Sequence, residues 1–273
     1  MIRAALILAA LGWANPAAAD TVAERFEVPA GCSEVAAPPG GFAAWLAARP
    51  LAPKGTPVRA SDGSRVWATY SPALAVLDLD LLGPQDCADS VMRLRGEYLW
   101  SAGKVADLSM KYLSGDAIPW SRWAEGCRPE LDAAHRRVGR WVCSGTRSDG
   151  YAVFEAYLEN VMRYANSASL ARDLDTIAAD ALGPGDVIAQ PNPTGGVGHA
   201  AIVLRTVTCE DGETRHLVAN GFLPPQSVHV IGKRKLLGAQ PWLTLDEYRE
   251  QMRPLGEPFA YRRFPQASNH SPR

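Results

Sequence analysis

Three residues of this sequence have the types and the order that nucleophilic acyl chemistry requires: Cys87, His199 and Asn220. A cysteine thiolate can attack a carbonyl carbon, a histidine can take the thiol proton and return it to the leaving group, and a third polar group can orient the imidazole. Gln226 is the alternative third residue, and Gln85 could donate a hydrogen bond to an oxyanion. This set predicts cleavage of an amide bond through a Cys87 acyl-enzyme.

The pattern around Cys87 predicts that it opens a helix over about 87–102. Asp86 is the predicted N-cap, and Asp89 three residues later completes a capping-box arrangement. The unpaired N–H groups of a first helical turn favour a thiolate, whereas the two flanking carboxylates repel it. Helical spacing predicts one shared face for four residues, Cys87, Val91, Leu94 and Tyr98.

His199 is predicted to open a strand, which follows a shorter strand at 187–190 and a Pro/Gly-rich loop. Alternation assigns His199, Ala201 and Val203 to one face of that strand. The opposite face takes Ala200, Ile202 and Leu204. Asp211 and Gly212 predict a hairpin, whose return strand at about 215–221 would bring Asn220 beside His199.

The remaining patterns predict one α+β domain over 41–265, between an irregular lead-in at 20–40 and a disordered tail at 266–273. Trp123 is a candidate for lining the substrate cleft. The other predicted elements are helices at 41–49, 151–168 and 169–182, a loop or short helix around Trp120, and strands at 75–81, 141–143 and 226–231.

Residues 1–19 are typical of a cleavable signal peptide, which predicts a periplasmic or secreted protein. Arg3 supplies the positive start, a short apolar run follows at 4–13, and three alanines at 17–19 precede Asp20. The apolar run is shorter than the roughly 20 residues that a membrane span requires. No membrane span is therefore expected.

The sequence holds five cysteines: Cys32, Cys87, Cys127, Cys143 and Cys209. Disulfides persist in an oxidising compartment, and an odd number leaves one thiol unpaired. Four cysteines can pair in three ways, of which Cys127 with Cys143 is the most local. Cys87 is the candidate for the free thiol.

Charge and motifs argue against several classes of protein. The formal net charge is −1, which provides no electrostatic reason to expect nucleic acid as a partner. Metal-ligand spacings, phosphate-binding loops and dinucleotide fingerprints are missing from the sequence, so no cofactor or metal is expected. The expected partner is a peptide or cell-wall-derived substrate, and the oligomeric state is left open.

Several segments resemble known bacterial families. DCADSV at 86–91, followed by PGDVI and GHAAIVL, resembles the NlpC-type superfamily of papain-like cell-wall cysteine peptidases. That resemblance implies a papain-like fold in which a Cys-bearing helix packs on an antiparallel sheet, and peptidoglycan peptides as substrates. Over about 38–264 the chain resembles a bacterial family of unknown function, domain of unknown function 4846 (DUF4846). This second resemblance rests on PPGGFAAWLAARPL, AVLDLDL, QDCADSVMRLRGEYLW, YAVFEAYLENVMRYA and PPQSVHVI, together with PGDVI and GHAAIVL.

Two positions differ from the families. NlpC-type enzymes usually place a histidine third in the triad and the unknown-function family a glutamine, where this chain offers Asn220. The unknown-function family has a tyrosine where Cys127 stands, which implies a disulfide through Cys127 particular to this chain.

Two interpretations compete with a cysteine hydrolase. Cys87 could be a buried core cysteine, in which case the protein would be a non-catalytic binding module of the cell envelope. Alternatively, the same cleft could serve a thiol-dependent acyltransferase or esterase.

Overall fold

A computed structural model describes residues 20–67, 70–132, 134, 136–192, 198–235 and 238–265. The predicted signal peptide at 1–19 and the predicted tail at 266–273 lie outside the described residues. The predicted α+β class is confirmed, because helices pack on an antiparallel sheet.

The helices are distributed along the whole described chain. Three short 3₁₀ turns lie at Val105–Asp107, Ala179–Ala181 and Arg253–Leu255. The α-helices are α1 (Val22–Arg25), α2 (Phe42–Ala47), α3 (Cys87–Ser101), α4 (Trp120–Ala124), α5 (Tyr151–Met162), α6 (Ser167–Asp173) and α7 (Leu245–Met252).

The strands include several of only two or three residues. They are β1 (Cys32–Glu34), β2 (Ala73–Val76), β3 (Ser109–Lys111), β4 (Ala117–Pro119), β5 (Cys127–Asp132), β6 (Arg137–Cys143), β7 (Asp175–Thr176), β8 (Val187–Gln190), β9 (His199–Cys209), β10 (Thr214–Asn220), β11 (His229–Ile231), β12 (Lys233–Lys235), β13 (Gly238–Gln240), β14 (Leu243–Thr244) and β15 (Ala260–Arg263).

The central sheet has nine strands, seven of which follow the order β2-β11-β10-β9-β8-β15-β7, with β1 paired to β9 and β14 to β10. The predicted alternation along β9 is confirmed. Ala200, Ile202 and Leu204 belong to the larger core, which includes α3 and α5. Ala201 and Val203 belong to a second core on the other face, with Tyr248 and Met252 of α7.

Helix α3 packs against β9 and is buried on nearly all sides. Its first turn is closed by the predicted capping box, in which Asp86 accepts from the backbone of Ala88 and Asp89, while Asp89 accepts from the backbone of Asp86. Because most of the helix is enclosed, its polar side chains need internal partners. The sequence interpretation, which gave α3 a single buried face, understated this burial.

The predicted helix at 151–168 is wrong beyond its first twelve residues. Helix α5 ends at Met162, and α6 begins only at Ser167. The break is stabilised by Asn166, whose side chain caps α6 by accepting from the backbone of Ala168 and Ser169. An asparagine with this local partner favours a new helix start over continuation of the old helix.

Other predictions differ in extent. The stretch at 20–40, predicted to be irregular, contains α1 and β1, and the predicted strand at 75–81 is confined to β2. Around Trp141 the strand is longer than predicted, because β6 pairs along its length with β5 in a separate hairpin. The capped helix start of α3 and the strand β8 lie where the sequence predicts them.

Two disulfides join parts of this structure. Cys127 pairs with Cys143 across the β5–β6 hairpin, which confirms the most local of the predicted pairings. Cys32 pairs with Cys209 and so fastens β1 to the end of β9. Cys87 is free and buried, and two disulfides are typical of a protein that folds in an oxidising compartment.

Candidate functional site

The structure places Cys87 at the first position of α3, directly against the start of β9. Its Sγ lies 3.9 Å from the carbonyl oxygen of Gly198, the residue before His199. The side chain is only 5% exposed. The thiol is therefore adjacent in space to the backbone that carries the histidine.

The surroundings of Cys87 favour the neutral thiol. Burial, and then the nearby Asp86 carboxylate, raise the pKa of Cys87 to about 12. Backbone N–H groups of Ala88 and Ala200 act in the opposite direction but do not outweigh the loss of water. The unliganded protein consequently holds a thiol and not a thiolate at neutral pH.

His199 and Asn220 are joined by a hydrogen bond. The two residues lie on adjacent strands β9 and β10, and Asn220 Nδ2 is 3.1 Å from His199 Nε2. His199 is 1% exposed and Asn220 is 3% exposed. The other ring nitrogen, Nδ1, is buried and has no hydrogen-bond partner among the described residues, so it is the nitrogen available for a reacting group.

Two glycines allow close approaches at the strand ends: Gly221 brings the end of β10 to the start of α3, and Gly198 brings the start of β9 to α6 and β8. A Cβ on Gly221 would lie 2.2 Å from Ser90 Oγ and 2.8 Å from the backbone oxygen of Asp86. A Cβ on Gly198 would lie 2.2 Å from Ser167 Oγ and 2.5 Å from the backbone oxygen of Gln190. Any larger residue at these two positions would push β9 and β10 away from the elements that they contact.

The structure brings the two candidate glutamines beside this group. The backbone N–H of Gln226 donates to the carbonyl of Gln85 at 3.2 Å. Both side chains are buried, and within the described part of the chain neither Oε1 has a hydrogen-bond partner. Trp123 is not brought there. It is buried in the larger core, where its ring meets Tyr157 edge to face and the Arg128 guanidinium stacks over it.

A cavity of about 190 Å³ adjoins the site on the β10–β11 side. Asn220 and Gln226 line it together with His229, which lies opposite Asn220 in the strand pairing. The sequence pattern alone had assigned no role to His229. The sequence signal that could have pointed to His229 is its position three residues after Gln226, at the start of a buried strand.

The described residues contain no group of three or more His, Cys, Asp or Glu side chains that could hold a metal ion. His135 and His270 lie outside the described residues. No helix in the described ranges is long and apolar enough to cross a membrane.

The cysteine pairing leads to a prediction about alkylation. Denatured without reductant, the protein should expose one alkylatable thiol, and peptide mapping should locate it at Cys87. In the folded protein at neutral pH the same thiol should react far more slowly, because it is buried and its pKa is raised. Detection of Cys87 in a disulfide would contradict the structure, in which this cysteine is free. It would also remove the thiol that a nucleophilic role requires.

The buried histidines predict a loss of stability in acid. Burial lowers the pKa of His199 to about 3 and that of His216 to about 4. At the same pH the unfolded chain therefore binds protons that the folded protein does not bind. The contribution of these histidines to the free energy of unfolding, which is present above pH about 6.5, is lost as the pH falls toward these values. Asp89 affects stability in the opposite direction. Burial raises its pKa to about 9, so its contribution to the free energy of unfolding is lost as the pH rises toward that value.

Urea unfolding at pH about 7 and about 5 tests this histidine contribution. The free energy of unfolding should be lower at pH about 5 than at pH about 7. This decrease should be smaller in His199→Gln and in His216→Gln than in the wild type. Equal losses in the wild type and both variants would show that these histidines are not held neutral by the fold.

Comparison with known proteins identifies a family. The family model described as "domain of unknown function (4846)" matches residues 22–261. No curated protein and no solved structure matches the chain.

Proposed function

Starting from the chain's membership of the family named domain of unknown function 4846, we propose that it is a thiol hydrolase that cleaves an amide bond. The observation that carries the proposal is the arrangement of three side chains. The free Cys87 lies at a helix start with its Sγ 3.9 Å from the carbonyl of Gly198, and the next residue, His199, is held by Asn220 with Nδ1 unpartnered.

In the proposed reaction His199 Nδ1 takes the Cys87 proton as sulfur bonds to the substrate carbonyl carbon. The tetrahedral intermediate collapses when the C–N bond breaks and the imidazolium gives its proton to the leaving nitrogen. Water, deprotonated by the same histidine, then hydrolyses the thioester and restores the thiol. Each half-reaction, acylation and deacylation, returns His199 to its neutral state.

This role fixes the tautomer of His199. Nδ1 must carry a lone pair, so Nε2 carries the proton and donates it to Asn220 Oδ1, with the amide turned to present its oxygen. Because burial lowers the pKa of His199 to about 3 and raises that of Cys87 to about 12, the proton moves during attack and no preformed ion pair is required. Gln85 is the proposed oxyanion donor.

The wider proposal concerns fold family and location. The capped helix start at Cys87, packed on an antiparallel sheet that carries His199 and Asn220 on neighbouring strands, supports a papain-like fold of the NlpC type. The predicted signal peptide and the two disulfides support a periplasmic or secreted protein. Peptidoglycan peptides are the substrate class that the sequence resemblance suggests.

A non-catalytic binding module is the second candidate, and a specific observation favours it. The thiol is buried, its pKa is raised, and no hydrogen bond joins Cys87 to His199, both of them described residues. A binding module would use the cavity beside Asn220 for recognition and would leave the thiol unreacted.

Trapping the acyl-enzyme separates the two candidates. After incubation with p-nitrophenyl acetate and acid quench, the hydrolase should carry one acetyl group on Cys87, located by peptide mass spectrometry. His199→Ala should reduce this acylation strongly, and Cys87→Ala should remove it. A native protein whose Cys87 stays unmodified while surface lysines are acetylated would favour the binding module.

A further inference from the structure

The cavity beside the proposed site has a mainly apolar wall. It is lined by Val58, Val66, Trp67, Tyr70, Ser71, Asn220, Phe222, Leu223, Pro224, Gln226, His229 and Met252. No Asp, Glu, Lys or Arg is among these described lining residues. Trp67 is 71% exposed and Tyr70 is 42% exposed, so aromatic rings reach from the cavity to the surface.

The cavity adjoins the proposed catalytic group through two of its lining residues. Asn220 lines it and also contacts His199. Phe222, another lining residue, packs its ring 5.4 Å from the His199 ring and 5.6 Å from that of Tyr70. A substrate group held in the cavity would therefore lie next to the residues that hold His199.

One polar atom of the wall has a defined hydrogen-bonding role. His229 Nδ1 lies 2.9 Å from the carbonyl oxygen of Ser227, which can only accept, so Nδ1 carries the ring proton. Nε2 then holds a lone pair that can accept a hydrogen bond. Gln226 adds a buried Oε1 that has no hydrogen-bond partner among the described residues. The wall thus presents acceptors that an occupant with a donor would satisfy.

We propose that this cavity selects an uncharged, apolar or aromatic substrate side chain, and that an amide N–H of the same residue donates a hydrogen bond to His229 Nε2. The inference rests on the proposed function, because the occupant is taken to be the group beside the scissile amide. A charged side chain would lose its water without gaining an ionic partner, and that loss is costly. Acidic and basic peptide side chains are accordingly excluded.

The test measures binding to the wild-type protein by titration calorimetry with four probes. N-acetylphenylalaninamide and N-acetylleucinamide should bind at least about tenfold more tightly than N-acetylglutamic acid amide and N-acetyllysinamide, which is the ratio expected for a difference near 1.4 kcal/mol. Equal or tighter binding of a charged probe, or no binding of any probe at millimolar concentration, would overturn the proposal.

Trp67→Glu adds a carboxylate at the mouth of the cavity, at a position exposed enough to leave folding intact. This variant should bind N-acetylphenylalaninamide more weakly and N-acetyllysinamide more tightly than the wild type does. Val142→Glu is the matched control, because Val142 is exposed on β6 and does not line the cavity. A control variant that shifted the preference as Trp67→Glu does would point to a general charge effect and against this cavity.

The role of His229 is tested with a probe pair that differs in one donor. N-acetylphenylalaninamide should bind more tightly than its N-methylated analogues, and His229→Leu should abolish that difference while His229→Gln retains part of it. An unchanged difference in His229→Leu would overturn the donor part of the proposal.

These binding results are independent of turnover. Charged probes that bind tightly to a protein that acylates Cys87 would refute the cavity selectivity alone. The expected selectivity in a protein that never acylates Cys87 would refute the hydrolase and leave the cavity as a ligand site.

Discussion

Turnover of any amide substrate should be lost in Cys87→Ala, with a fall on the order of 10⁴-fold or more, because Cys87 supplies the free thiol that forms the proposed acyl intermediate. His199→Ala should cause nearly the same loss. The double variant should be little worse than either single variant, because both residues serve one proton transfer. Steady-state rates on one substrate measure all three values.

Asn220→Ala should reduce turnover less than Cys87→Ala or His199→Ala does, because in the proposed mechanism Asn220 only orients the His199 ring. Melting temperatures within a few degrees of the wild type are the required control for each variant. A Cys87→Ala protein with full turnover would eliminate the hydrolase. One with no turnover and unchanged affinity for the cavity probes would support it.

Loss of Arg93 should destabilise the fold by about 3–5 kcal/mol, because it leaves buried carboxylate charge without its partner. Arg93 is fully buried in α3, where Nε donates to Glu97 at 2.6 Å and Nη2 donates to Tyr151 Oη at 3.1 Å. Glu97 also accepts from Tyr151 Oη at 2.8 Å, and Glu155 lies 3.5 Å from the guanidinium. For a chain of this size, the expected fall in Tm of Arg93→Ala is about 6–20 °C.

The matched control is Arg163→Ala. Arg163 pairs with Glu159 at 4.0 Å on the surface of the same region, with side chains 60% and 37% exposed, and exposed pairs contribute about 0–1 kcal/mol. Thermal unfolding of the two variants compares them directly. Similar melting temperatures for Arg93→Ala and Arg163→Ala would show that the buried network contributes no more than a surface pair.

Local signals in the sequence sufficed for much of the candidate site. The capping pattern located the start of α3, and the period of two placed Ala201 and Val203 on the opposite face from Ala200 and Ile202. The predicted hairpin pairs β10 with β9, but Asn220 reaches His199 through a register shift between Leu217 and Val218, which no local pattern specifies. The first two features depend on residues that are close in sequence, where backbone preferences and alternation act directly.

Contacts between distant segments could not be read in the same way. The pairing of β11 with both β10 and β2 brings His229 to the cavity, and no local pattern specifies that strand order. Trp123 was a candidate for the cleft on residue type alone, but the turn into α4 directs it into the core beside Tyr157. The enclosure of Arg93 likewise depends on α5, which lies more than fifty residues later.

The disulfide between Cys32 and Cys209 sets a requirement on the order of oxidation. A chain that emerges from its N-terminus presents Cys32 and Cys87 first, whereas the native partner of Cys32 follows 177 residues later. Pairing in order of emergence would consume the Cys87 thiol in a bond that the fold does not contain. Correct maturation therefore demands either delayed oxidation of Cys32 or a disulfide isomerase that releases Cys87 before α3 packs against β9.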